Sequence, residues 1–68
     1  MFEIIESTGL HRRTVIATLP TFEEAKAKVE TMGVAFMEDD EDYPGCADVL
    51  LNDARLLAIQ PVGFKITA

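Results

Sequence analysis

The side chains best suited to chemistry are five consecutive carboxylates near the middle of the chain. They are Glu38, Asp39, Asp40, Glu41 and Asp42. Adjacent carboxylates repel one another, which predicts a solvated loop that aids solubility. Hard divalent cations prefer several oxygen ligands, so weak divalent-cation binding is one alternative role. A row of carboxylates can also occupy the basic groove of a partner, so an acidic inhibitor that imitates nucleic acid is another.

The one basic cluster in the sequence is His11-Arg12-Arg13, at the tip or exit of the first predicted hairpin. The cluster is interpreted first as a plain polar turn. The alternative is that Arg12 and Arg13 contact an anion, an acidic partner, or the acidic run of a second copy. A lone histidine without a positioned acid or nucleophile is weak evidence for catalysis. The acidic neighbours of Cys46 raise the pKa of a thiol, which favours a small buried residue over a nucleophile. We therefore predict no catalytic, cofactor-binding or metal-binding residue.

Size and charge narrow the class of protein. Sixty-eight residues make one small domain, and 12 acidic against 6 basic residues leave a net charge of −6. Phosphate backbones are bound by clustered Lys and Arg, so nucleic acid and anionic membranes are disfavoured as partners. The first residues show neither a basic leader nor a long apolar run, and a single cysteine suits a reducing compartment. These features predict a cytoplasmic protein that does not span a membrane.

The stretch from Pro20 to Gly33 predicts an amphipathic helix on which the other segments of the chain pack. Thr21 and Glu24 form a capping box, in which each side chain reaches the backbone N–H of the other residue. Gly33 supplies the left-handed residue that ends many helices. The apolar residues recur at steps of three and four, which places them on one stripe of a helix at about 22–32. That stripe contains Phe22, Ala25, Val29 and Met32.

The segments before and after this helix predict short strands. Phe2 to Ile5 and Arg13 to Leu19 are expected to pair as a hairpin, with Val15, Ala17 and Leu19 on one side of the second strand. Val34 to Met37 is predicted to be an edge strand or an extended return.

The segment from Cys46 to Val62 has two structural interpretations, a helix and a β-hairpin. As a helix it forms an apolar stripe that includes Leu50, Leu57 and four further residues, although Ile59 then falls near the polar side. As a hairpin it has strands at 48–51 and 56–62 around a turn at 52–55. We favour the hairpin because a two-stranded sheet alone is barely stable.

The predicted architecture is a single α+β domain of order ββα(β)ββ, with a mostly antiparallel sheet and one helix on one face. The opposite face then needs cover from loops, from a partner or from a second copy. The high apolar content, 49% of the residues, is compatible with an unusually apolar core or with an apolar patch buried against a second copy. We therefore predict a non-enzymatic protein–protein interaction module, with a homodimer expected and the contacts made by residues 38–42, Arg12 and Arg13.

Overall fold

The computed structural model describes residues 1–9 and 12–64. Within them, one helix follows two strands and precedes three more. The elements are β1 (Phe2–Ser7), β2 (Arg13–Leu19), α1 (Phe22–Glu30), β3 (Val34–Asp39), β4 (Ala47–Leu51) and β5 (Leu56–Pro61). The strands form one antiparallel sheet in the order β2-β1-β5-β4-β3. The predicted α+β class is confirmed, and the segment from Cys46 to Val62 is a hairpin.

The start and the end of α1 follow from local chemistry. The backbone N–H of Glu24 donates to the Thr21 hydroxyl oxygen at 3.1 Å, which confirms one arm of the capping box. The other arm was wrong: the Thr21 hydroxyl donates to the Glu24 carboxylate at 3.2 Å, so this carboxylate meets the side chain of Thr21. Thr31 is the C-cap, and Gly33 has φ of +88°, as expected of a residue that ends a helix.

The core lies between α1 and the side of the sheet that faces it. Ala25 and Val29 of the helix are fully buried, and Ile4 of β1 and Ile59 of β5 lie beneath them. The other buried members of this cluster are Ala47, Val49, Leu51 and Leu57. Phe22 and Met32, from the predicted stripe, pack against its margin. Burial of these side chains is the main source of stability in a chain of this length.

Both edge strands carry a β-bulge. In β2 the extra residue is Ile16, which falls between the residues paired with Ile4 and Ile5. In β3 the extra residue is Ala35. Bulges interrupt the ladder and increase local twist, which hinders pairing of an edge with another chain. The two edges of this sheet are therefore poor sites for strand addition.

The bulge in β2 also corrects the alternation predicted for that strand. Val15 was expected to share a side with Ala17 and Leu19. Val15 pairs instead with Ile5, while Ala17 pairs with Ile4. Ile4 and Ile5 are neighbours in β1 and point to opposite sides of the sheet. One extra residue shifts the register, so Val15 lies on the side of the sheet away from α1.

The β4–β5 turn offers a stabilising substitution at Ala54. The backbone N–H of Ala54 donates to the carbonyl oxygen of Leu51 at 3.0 Å, and Ala54 has φ of +71°. This turn usually places glycine at that position because a Cβ is strained there. Ala54→Gly should raise the free energy of unfolding by about 1 kcal/mol, measured by urea titration. No gain, or a loss, would contradict the turn geometry.

An ion pair ties β1 to the β4–β5 turn. The Arg55 Nε donates to the Glu6 carboxylate at 2.9 Å, and a second nitrogen of the same guanidinium donates to the other carboxylate oxygen. Bidentate pairs of this kind are the strong class of charge-assisted hydrogen bonds. The hydrogen bond from Arg55 holds the pKa of Glu6 below its ordinary value of 4.5.

The lowered pKa of Glu6 predicts an acid-sensitive contribution to stability. A carboxyl group whose pKa is lower in the folded chain stabilises the fold above its unfolded pKa, and this contribution is lost as the pH falls through the folded pKa. Glu6→Gln should therefore be less stable than the wild type at pH 7 and equally stable near pH 2. Urea titrations across this range measure the difference. Glu41→Gln is the control, since Glu41 is exposed in a loop; a similar pH-dependent loss in both variants would contradict the prediction.

Candidate interaction surface

The side of the sheet that faces away from α1, here called the open face, has a regular arrangement of side chains. Strand register places one residue from each strand in a row, because directly paired residues share a face. The first row, from β2 to β3, is Arg13, Ser7, Leu56, Leu50 and Phe36. The second row is Val15, Ile5, Ala58, Asp48 and Glu38.

The first row leaves large apolar side chains in solvent. Phe36 is 57% exposed, Leu56 is 55% exposed and Leu50 is 38% exposed, and the three lie on neighbouring strands. They line an open depression of about 360 Å³ together with Arg13 and Asp48. Single exposed apolar side chains are ordinary, whereas a contiguous group is typical of a contact surface. We call Phe36, Leu50 and Leu56 the apolar row.

Two carboxylates stand side by side next to the apolar row. Glu38 of β3 pairs directly with Asp48 of β4, and both are exposed on the open face. Like charges on directly opposed residues of neighbouring strands destabilise a sheet. A cation brought by a partner would remove this repulsion, so the pair favours a cationic group at this place.

Arg13 lies at the other end of the first row and reaches across the open face. Its guanidinium donates to the Gln60 side-chain oxygen at 3.4 Å, and the Gln60 amide donates to Glu3 at 3.1 Å. Arg13 starts on β2 and Gln60 lies on β5, so this contact passes over Ile5 on the intervening strand. That geometry explains why Ile5 is only 5% exposed although it lies on the side of the sheet away from α1.

The acidic run divides into parts with different surroundings. Glu38 and Asp39 belong to β3, so the expectation that the whole run is a loop was wrong. Asp39 points to the helix side, where Lys26 Nζ donates to its carboxylate at 2.8 Å. Asp40 accepts backbone N–H groups from Asp42 at 2.9 Å and Tyr43 at 3.2 Å, which fixes the turn.

The remaining predicted contact residues are exposed but widely placed. Glu41 and Asp42 lie in the loop before β4, and Arg12 precedes β2. Arg13 and Asp40 line a common second depression of about 110 Å³, so the structure brings one basic and one acidic member of the predicted set to one surface. His11, also considered at the sequence level, lies outside the described residues.

Cys46 lines the same second depression, beside Tyr43 and Phe64, whose rings meet edge to face at 5.4 Å. Burial raises the pKa of the Cys46 thiol, and the charges of Asp40 and Asp48 raise it further. A thiol with a raised pKa is a poor nucleophile at neutral pH. Across residues 1–9 and 12–64, no group of three His, Cys, Asp or Glu side chains is placed to hold a metal ion.

Sequence reasoning missed the apolar row and Asp48. The signal was present, because Val49-Leu50-Leu51 and Leu56-Leu57 are unbroken apolar runs. A strand with one solvated face alternates apolar and polar residues, whereas an unbroken run indicates that both faces meet apolar groups. Within the described residues the sheet has a helix on one face only, so these runs leave leucines on the other.

Comparison with known protein families, characterised proteins and solved structures finds no match. In the part of the chain that the structure describes, no helix is both long and apolar enough to cross a membrane. The case for a function therefore depends on the open face itself.

Proposed function

We propose that this chain is a non-enzymatic protein–protein interaction module whose contact surface is the open face. The observation that carries the proposal is the apolar row, three exposed side chains in register on neighbouring strands. Desolvation of contiguous apolar area is the main driving force of protein association. Nothing within the described residues covers these side chains.

The chemistry of the open face specifies the kind of partner. An apolar strip must fill the depression along the apolar row, and a cation is needed beside Glu38 and Asp48. Arginine suits this role because its stem packs on apolar groups while its guanidinium pairs with carboxylates. The proposed partner is therefore a protein surface that presents apolar side chains next to an arginine or a lysine.

Photo-crosslinking tests this proposal. Benzoylphenylalanine in place of Phe36 should give a discrete protein adduct in extracts of cells that contain the protein. The same photo-reactive residue in place of Val62, which is 53% exposed in the turn after β5, is the matched control and should give none. Mass spectrometry of the adduct should locate the contact at apolar residues next to Arg or Lys.

Two further variants identify the surface that makes the contact. Leu50→Ser with Leu56→Ser should abolish the adduct, because these changes remove the apolar row next to the probe. Glu41→Gln with Asp42→Asn neutralises the loop part of the acidic run and should leave the adduct unchanged. The proposal fails if positions 36 and 62 give the same adducts, or if only the loop variant loses the adduct.

A further inference from the structure

We infer, on the basis of the proposed function, that the partner is a second copy of this chain, packed open face to open face about a twofold axis parallel to β5. The open face itself has the chemistry that its partner requires. The apolar row supplies the apolar strip, and Arg13 supplies the arginine. Both lie in the same row, with Arg13 at the β2 end and Phe36 at the β3 end.

The order of the strands determines what this axis brings together. β5 is the central strand, so rotation about an axis parallel to it places β2 of one copy opposite β3 of the other. Each residue then faces a residue of its own row. Leu56 meets Leu56 of the second copy, and Phe36 meets the stem of Arg13. Two sheets in this arrangement lie about 10 Å apart, which is the distance that such side chains fill.

The same axis makes the charges complementary. Asp48 and Ile5 lie on either side of Ala58 in the second row, so Asp48 of one copy faces Ile5 of the other. The contact from Arg13 to Gln60 passes over Ile5, so the facing guanidinium lies next to Asp48. Twofold symmetry makes this ion pair twice, and each pair offsets the repulsion between Asp48 and Glu38.

The size of the open face sets the expected strength. Five strands at a spacing of about 4.8 Å and three rows of side chains cover roughly 24 by 20 Å, or about 480 Å² per copy. The third row contains Thr18, Glu3 and Gln60. A standard interface buries about 800 Å² per partner. The dimer should therefore be weak, and sedimentation equilibrium between roughly 5 and 500 µM is the range in which to measure it.

Charge reversal of the purified protein tests the arrangement. In the Arg13→Glu variant, the new carboxylate lies opposite Asp48 of the second copy. In the Asp48→Arg variant, the new guanidinium lies opposite Arg13 of the second copy. Each variant should raise the dimer dissociation constant at least about tenfold. Mixed in equal amounts, the two variants should form a heterodimer with wild-type affinity. One of its two ion pairs is then the wild-type pair of Arg13 and Asp48, and the other is the same pair with its charges reversed.

The mixture distinguishes an ion pair between two copies from an ion pair within one chain. A pair formed within one chain is not restored by mixing, so a mixture as weak as the single variants would overturn the twofold arrangement. A wild-type chain that stays monomeric up to about 500 µM, the highest concentration of the sedimentation experiment, would overturn self-association itself. In that case the crosslinks from position 36 would still decide the proposed function, since they detect any protein partner. Glu30→Arg, a charge reversal at the exposed end of α1 on the other side of the sheet, is the control and should leave the dissociation constant unchanged.

Discussion

Replacing Ile59 with alanine should lower the free energy of unfolding by about 3 kcal/mol. Ile59 is 1% exposed on the central strand of the sheet, where it pairs with Ile4 on β1 and with Ala47 on β4. The substitution removes buried methyl groups and leaves a cavity that the paired strands cannot close. Small domains are stable by only about 5–15 kcal/mol, so this loss is a large part of the total.

Urea unfolding followed by circular dichroism measures this change. Leu56→Ala is the matched control, since Leu56 lies on the same strand but is 55% exposed. The control should cost less than about 0.5 kcal/mol when the chain is dilute enough to be monomeric. Equal losses in the two variants would show that the two sides of β5 are not buried differently.

Replacing Gly45 with alanine should cost about 3 kcal/mol, for two separate reasons. Gly45 has φ of +85°, a conformation that costs an ordinary residue about 1–2 kcal/mol. An added Cβ would also lie 2.9 Å from the Phe2 ring. That ring packs on Phe22, with centroids 5.6 Å apart, so it cannot withdraw freely. Overpacking of this kind costs about 1–3 kcal/mol.

Gly63→Ala separates these two costs. Gly63 has a similar φ of +80°, but among residues 1–9 and 12–64 no heavy atom beyond its two chain neighbours lies within 4 Å of a Cβ built there. It should lose only the conformational part, about 1–2 kcal/mol. The difference between the two variants in thermal or urea unfolding therefore measures the contact with Phe2. If Gly63→Ala costs as much as Gly45→Ala, that contact contributes nothing.

The helix and the hairpins were predictable because their signals are local. The N-terminal cap at Thr21 depends on residues within one turn of the helix, and Gly33 acts within the same short range. The turn between β4 and β5 was visible in the residues at 52–55, between two apolar runs. Such patterns operate over a few residues, so a single sequence is enough to read them.

The candidate site was only partly predictable, because its members come from all five strands. The acidic run was predicted to act as one contact surface. Glu38 and Asp39 nevertheless point to opposite sides of β3, and Asp39 pairs with Lys26. The side of the sheet on which Val15 lies depended on a β-bulge, which the neighbouring residues in the sequence did not predict. Neighbouring residues in a strand alternate between the two faces, so a run in sequence does not form one surface.

The sequence by itself determined a small acidic α+β chain with one capped helix, since composition, periodicity and caps are properties of neighbouring residues. Only the tertiary structure decided that Phe36, Leu50 and Leu56 align across three strands, with Arg13 at one end and two facing carboxylates beside the other. The physical reason is strand register. Pairing between residues up to about sixty positions apart sets which side chains share a face, and it arises from packing of the whole sheet rather than from any one segment.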